Sequence, residues 1–284
     1  MKIQYISDIH LETRNNKKDF ELYLIPNAPY LALCGDIGYP RSEIFKDFIN
    51  YCSKHWKEVF YVTGNHDYYN KIYTRWKYSS PYSMKQVEEY IEELFEHYPN
   101  VHFLQKKRFD IPNTNYSIVG CTLWVYIPSY KYTDVIHSLN DINYISIDGN
   151  NRLSPNTINE LHEDHCRWLL KSLEKLENLG RKAIVLTHHL PTKLLISEEY
   201  SNDSKNYLFY TELPEHLYHP ALKVWICGHS HSSKRILLKN NIELMMNCKG
   251  YSKEIIKNFN PSCIYEIHEK LNTNLQHEEI VEFI

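Results

Sequence analysis

The sequence predicts an α/β fold, on three observations. Short apolar runs of strand length recur along the chain, stretches of helical periodicity separate them, and five of the runs end abruptly in Asp, Asn or His. Strand–helix–strand succession is the pattern of parallel βαβ units. In open α/β sheets ligands bind beyond the carboxyl ends of the strands, so those polar ends are where function is to be sought.

Taken in order, Lys2 to Ser7 reads as a strand ending in Asp8-Ile9-His10. Pro29 to Cys34, around Tyr30-Leu31-Ala32-Leu33, is a second, ending in Gly35-Asp36. A helical pattern from Ser42 puts Ile44, Phe45, Phe48, Ile49 and Cys52 on one face. Glu58 to Thr63 is a third strand, ending in Gly64-Asn65-His66-Asp67, and the tyrosine-rich Tyr68 to Tyr82 is expected as an irregular loop at a site edge. Val87, Tyr90, Ile91, Leu94 and Phe95 predict a helix over Ser83 to Tyr98, with that stripe in the core. Short strand signals run from Val101 to Trp124, strongest at Ser117-Ile118-Val119-Gly120, around a turn at Asn113-Thr114-Asn115. Tyr126 to Arg152 reads as a polar stretch with aromatic residues. Ser154-Pro155 opens a long helix to about Leu179, because proline is tolerated in a first turn, and Gly180 stops it. Lys182 to Leu186 is a buried strand ending in Thr187-His188-His189-Leu190-Pro191. After a loop from Thr192 to Pro220, the apolar run Leu222 to Cys227 ends in Gly228-His229-Ser230-His231. Strands around Arg235 to Leu238, Ile242 to Met246 and Ser262 to Ile267 complete the pattern. With no linker, repeat or low-complexity segment, a single domain over residues 1–284 is expected.

Composition narrows the function classes. Hydrophobic residues make up 43% and charged residues 24%, ordinary values for a soluble globular protein. A net charge of −3 carries no electrostatic footprint for nucleic acid. Met1-Lys2-Ile3-Gln4-Tyr5-Ile6 turns polar too soon for a signal peptide. No apolar run approaches the ~20 residues of a membrane helix. Seven cysteines without CxxC spacing argue against a disulfide framework or a structural zinc site, and a reducing, cytoplasmic setting is expected. Cys34, Cys121 and Cys227, on strands or their ends, read as small buried apolar residues.

The chemistry lies in the strand ends. In an extended segment residues i and i+2 face one side, so His229 and His231 can present both imidazoles to one site, with Gly228 permitting the turn. Imidazole is the commonest side-chain metal ligand. Asp8, His10, Asp36, Asn65, His66, Asp67, His188, His189, His229 and His231 together offer carboxylate, amide and imidazole but no thiolate, a set suited to Mn, Fe or Zn. They are too many for one ion and about enough for two, and a two-metal site ~3.5–4 Å across clamps a phosphoryl group and activates water. Singly, each block has a plainer reading: Asp8 and His10 as a strand cap, Gly35-Asp36 and Gly64 to Asp67 as turns.

Jointly, the ordered blocks D-x-H, G-D, G-N-H-D, H-H and G-H-x-H resemble the calcineurin-like metallophosphoesterase superfamily, over Lys2 to His231. Gly120-Cys121-Thr122-Leu123-Trp124, Asn140 to Tyr144 and Asn247-Cys248-Lys249-Gly250-Tyr251 resemble one branch of it. The resemblance implies two mixed β-sheets in a sandwich flanked by helices, with a dinuclear metal centre at the edge. It implies Asp8, His10, Asp36 and His231 around a first divalent ion. Asp36 would bridge to a second, completed by Asn65, His188 and His229, and His66 would be the non-ligand histidine that contacts phosphate and assists the leaving group. The implied activity is hydrolysis of a phosphomonoester or phosphodiester of a small substrate by water or hydroxide activated by two ions. Two alternatives stand beside it: a non-catalytic scaffold of the same fold that binds protein, and a nuclease of the same superfamily, which the net charge disfavours. Gly35-Asp36-Ile37-Gly38-Tyr39-Pro40-Arg41 lacks the register of the G-D-x-x-D-R-G of protein Ser/Thr phosphatases, and the Asp8/His10 spacing departs from the D-x-x-Y of purple acid phosphatases. His189 is open between supporting a ligand and touching substrate. Asp67 is read as orienting a neighbour or bonding backbone amides, Arg41 as solvated or on substrate phosphate, and Trp124 and Tyr144 as pocket wall or packing.

Overall fold

The computed structural model describes residues 1–14, 18–69, 72–74, 77–79, 82–148 and 151–267. In chain order these form β1 (Lys2–Ile6), β2 (Tyr30–Cys34), α1 (Glu43–His55), β3 (Glu58–Val62), a short antiparallel pair β4 (Ile72–Thr74) and β5 (Lys77–Ser79), α2 (Met84–Phe95), β6 (Val101–Phe103), β7 (Lys107–Asp110) and β8 (Tyr116–Gly120). Then follow α3 (Tyr132–Ser138), α4 (Asn140–Tyr144), α5 (Pro155–Asn178), β9 (Lys182–Leu186), β10 (Leu222–Cys227), β11 (Ser233–Leu237), β12 (Glu243–Asn247) and β13 (Ile264–Glu266).

The helices begin and end where the sequence supplies caps. The Ser42 side chain accepts from the Phe45 amide, Ser83 and Gln86 close a reciprocal capping box, and Ser154 accepts from Thr157 with Pro155 in the first turn. At the end of α5, Gly180 turns left-handed (φ 66°), and the Arg181 and Gly180 amides bond back to Leu176 and Glu177. That pairing satisfies the last carbonyls of the helix.

Two mixed sheets result, in the orders β13-β1-β2-β3-β6 and β11-β12-β10-β9-β8-β7. Neighbours within β1-β2-β3-β6 and within β12-β10-β9-β8 run parallel, and β13, β11 and β7 join antiparallel at the edges. Side-chain alternation decides which face goes where. Ile3, Tyr5, Ala32, Cys34, Phe60 and Val62 of one sheet meet Ile118, Ile184, Leu186, Val224, Ile226 and Met245 of the other to fill the sandwich. The alternate residues Leu31, Leu33, Val59 and Tyr61 pack with α1 and α2, while Val185, Trp225 and Leu244 belong to the cluster that holds Leu169 and Leu173 of α5.

The stretch Tyr126 to Arg152, expected to be irregular, contains α3 and α4. Val135 in α3 and Asp141 in α4 are the residues each buries, and one anchor per helix leaves no periodic pattern to read. Of the Tyr68 to Tyr82 loop, residues 70–71, 75–76 and 80–81 lie outside the described residues, as do 149–150 and 268–284 of the expected domain. All seven cysteines are free, and among the described residues no helix is long and apolar enough to cross a membrane. Replacing Gly180 by Ala should lower stability by about 1–2 kcal/mol, the cost of a Cβ in the left-handed region. A urea midpoint that does not move would refute this account of the helix stop.

Candidate metal centre

The parallel strands of both sheets end at one edge of the sandwich. Cys34 pairs with Val62 across β2 and β3, and Leu186 pairs with Ile226 across β9 and β10, so the ends are nearly level. Backbone bonds carry the pairing past the strands, from Asp8 to Gly35 (3.0 Å), His10 to Asp36 (3.0 Å) and Gly228 to His188 (2.9 Å). Contacts then cross the sandwich: His188 Nδ1 donates to the Cys34 carbonyl (2.9 Å) and the His229 amide donates to Asp8 Oδ2 (2.9 Å). Asp8, His10, Asp36, His229 and His231 all have left-handed backbones, with φ between 45° and 69°. Left-handed residues other than glycine are uncommon and cluster at functional sites, where the surrounding structure holds them. Gly64 is required for space, since a Cβ there would collide with the carboxylate of Asp36.

The expected ligands fall into two groups. Ligand atoms of Asp8, His10 and His231 lie within 4.8 Å of one another, and so do those of Asp36, His188 and His229. Asp36 Oδ2 reaches both, 3.4 Å from His188 Nε2 and 3.8 Å from His10 Nε2. Asn65 Oδ1 joins the second group, 3.1 Å from His188 Nε2.

Each of the four histidines spends its outer nitrogen on an acceptor. His10 Nδ1 donates to Glu12 (2.9 Å), His231 Nδ1 to Glu254 (2.6 Å), His188 Nδ1 to the Cys34 carbonyl and His229 Nε2 to the Leu208 carbonyl (3.2 Å). Such bonds fix the tautomer of metal-binding imidazoles. In the neutral rings the inner nitrogens are then bare, yet His10 Nε2 lies 3.1 Å from His231 Nε2, and His188 Nε2 lies 3.1 Å from His229 Nδ1. Two lone pairs at that distance repel unless a proton or a metal cation lies between them; a protonated His188 would donate Nε2–H to His229, and a metal ion could take the same place. The side chains therefore fit a cation in each group, of the oxygen- and nitrogen-binding kind. Titration points the same way. Burial opposes charge on His188, but the carboxylates of Asp36 and Asp8 outweigh it and raise its pKa to about 9, an attraction that any cation placed there would share. Burial together with His188 holds His229 down to about 3, leaving it neutral.

His66 stands beside both groups, its amide donating to Asp36 Oδ1 (2.7 Å). Asp67 bonds backbone amides: its carboxylate accepts from Asp36, Ile37, Gly38 and Gly64 at 2.7–3.1 Å and so shapes two strand ends at once. His189 is buried with its ring 4.2 Å from that of His229, a supporting position, and Trp124 packs between Tyr68 and His189. Tyr144 lies against Tyr69, and Arg41 stacks between Tyr82 and Tyr90; neither lines the cavity described next.

A cavity of about 450 Å³ opens over the centre, bounded by Tyr69, Ser138 to Asp141, Ile196 to Phe209 in part, Tyr251 and Glu254. Sequence reasoning passed over four of its helpers. Asp141 accepts from Asn65 Nδ2 (2.9 Å) and from the Tyr69 hydroxyl; as a carboxylate it can only accept, so it turns the Asn65 oxygen toward His188. Glu12 and Glu254 hold histidines, and the Tyr251 hydroxyl lies 3.4 Å from His66 Nε2. Only the segment around Asp141 and the one ending in Tyr251 carried any sequence signal. Because outer partners of ligands are worth about 10–100-fold in metal affinity, Asp141→Ala should weaken one of two ions by that factor and leave the other near its wild-type affinity. Calorimetric metal titration checks this, and two unchanged affinities would refute it.

With this geometry in view, the known proteins that resemble the chain can be placed. A family model for calcineurin-like phosphoesterases matches residues 1–233. An uncharacterised protein of Acanthamoeba polyphaga mimivirus is 31% identical over 294 residues, covering 96% of this chain and 99% of that protein. Among solved structures, the phosphopantetheinyl hydrolase of Mycobacterium tuberculosis superposes with a TM-score of 0.66 at 14% identity, over 88% of this chain and 89% of that one. TT1561 of Thermus thermophilus gives 0.50 at 13% identity, over 87% and 88%. The two mixed sheets with flanking helices are the fold these structures share. The chain belongs to the calcineurin-like phosphoesterase family.

Proposed function

We propose that this protein hydrolyses the P–O ester bond of a small phosphomonoester or phosphodiester at a dinuclear metal centre. Asp8, His10, His231 and Asp36 would hold one divalent ion, and Asp36, Asn65, His188 and His229 the other. The observation that carries the reading is the pair of imidazole nitrogens that face each other in each group, with one oxygen of Asp36 reaching both. When bound, the ions, whether Mn, Fe or Zn, supply positive charge to phosphate oxygens and lower the pKa of water.

The chain's own residues supply the rest. Burial opposes the charged form of His66, but Asp36 and Glu12 outweigh it and, with no ion on Asp36, raise its pKa to about 9, which favours a proton on the ring. Its Nε2 lies on the side of the cavity residue Tyr251. As water oxygen bonds to phosphorus and the ester bond breaks, the departing oxygen takes that proton. The cavity wall suits an uncharged leaving group. Leu139, Ile196, Leu208 and Phe209 give it apolar surface, and Lys205 is the one Lys or Arg among the described residues that line it. A phosphopantetheinyl ester, with its uncharged amide chain, belongs in a substrate panel on that ground; a polyanion such as nucleic acid does not suit the wall. The scaffold alternative has no comparable support, because all seven expected ligands converge. Free cysteines throughout support a reducing, cytoplasmic setting, and the interior shared by the two sheets supports one domain.

Purified protein should turn over a generic phosphomonoester or diester with Mn²⁺ and lose activity on chelation. Inactivity with every divalent metal on both ester types would end the proposal. His66→Ala should retain both ions and lose about 10²–10⁴-fold in turnover, the range for a general acid; a fall in metal content instead would make His66 a ligand.

A further inference from the structure

We infer that Glu12 is the positioning residue of His66, its carboxylate holding Nδ1 so that the proton to be delivered sits on Nε2, at the cavity. The inference rests on the proposed acid role of His66. Glu12 lies in a single 3-10 turn, Leu11–Thr13, that begins immediately after His10. Its side chain is 11% exposed. Oε1 is 2.9 Å from His10 Nδ1 and 3.6 Å from His66 Nδ1, while Oε2 is buried with no hydrogen-bond partner among the described residues.

A buried carboxylate is costly unless it is paired and hydrogen-bonded. One donor, His10, is in place; the second imidazole facing the carboxylate is His66, at an ion-pair distance slightly longer than a hydrogen bond. Catalytic hydrogen bonds are often long before substrate is present and tighten with it. The ring has little freedom to turn away. It stacks on Tyr69 (centroids 4.2 Å apart, 27° between planes) and meets His10 edge-on at 4.7 Å. With Nδ1 turned to Glu12 and Nε2 to the Tyr251 hydroxyl, the two nitrogens of His66 face different neighbours. A donor bond from Nδ1 to Glu12 keeps that proton in place, so the proton lost to the leaving oxygen comes from Nε2. This is the logic of a base or acid oriented by a third group. Asp8-Ile9-His10-Leu11-Glu12 would then furnish, in one turn, two expected ligands and the partner of the acid.

His10, Glu12 and His66 also satisfy the spacing of a cation site of their own, and the test separates the two roles. Wild type, Glu12→Gln, His66→Ala and the double variant are compared on a para-nitrophenyl ester, whose leaving group needs little protonation, and on an alkyl ester of the same class, whose leaving group needs much. Metal content is measured on each. Glu12→Gln, whose amide oxygen can still accept from His10 Nδ1, is expected to keep the wild-type metal content and to lose about tenfold more kcat on the alkyl than on the nitrophenyl ester, with His66→Ala showing the same bias. The double variant should be no worse than His66→Ala alone, since residues that act as a unit are not additive. Equal losses on the two esters, a fall in metal content in Glu12→Gln, or additive losses in the double variant would each overturn the inference. An inactive wild type would remove the hydrolase reading, and this inference with it, whereas an active wild type with an indifferent Glu12→Gln removes this inference alone.

Discussion

One carboxylate oxygen organises the molecule. Asp36 Oδ2 is buried between two clusters of imidazoles, and much of the surrounding chain keeps it there. Its strand, β2, lies between β1 and β3, which bring the Asp8 and Asn65 turns alongside. Its amide is held by Asp67, and its other oxygen accepts from His66. Burial pushes the Asp36 carboxyl up, but His188 and His66 beside it hold it well below the usual carboxylate range. An anion so placed, facing imidazole nitrogens on both sides, gives the fold a charge balance that two cations would complete.

That arrangement has an energetic character. Five of the residues around it carry left-handed backbones, and such residues cost of order 1–3 kcal/mol each when they are not glycine. Buried carboxylates add to that cost locally. The compensating terms are elsewhere: the sandwich interior, the helices packed on both outer faces and the capped ends of α1, α2 and α5. A ligand that binds only the folded state adds to its stability, so a cation bound here would act on the least relaxed part of the protein.

How much of this was legible in the sequence follows from the same division. Five of the parallel strands could be read because each is an apolar run closed by a polar turn, and the ligand candidates could be read because they lie in those turns. Ser154-Pro155 and Gly180 marked both ends of α5 to within a residue. The helpers were not legible, for physical reasons. Glu12 in the sequence is a carboxylate in a short polar turn, and its meaning appears only when β3 brings His66 beside it. Asp141 sits in a five-residue helix with one buried position, too short for periodicity to show. Glu254 is separated from His231 by 23 positions, a distance that no local pattern spans. Roles that depend on strand ends were written locally; roles that depend on which loops meet were not.

The pairing of β10 with β12 carries a consequence for how the unit is delimited. The family match stops at residue 233, ten residues before β12 begins at Glu243. A fragment cut at that boundary would leave the strand that presents His229 and His231 with an open flank, its amides and carbonyls unpaired along the side where Val224 to Cys227 now meet Glu243 to Met246. Bare strand flanks of that kind invite pairing with other chains. The same cut would remove Tyr251 and Glu254, the latter the acceptor that orients His231. The site therefore draws on residues past the recognisable family segment: β12 seals the flank of β10, and the segment after it brings Tyr251 and Glu254 to the wall.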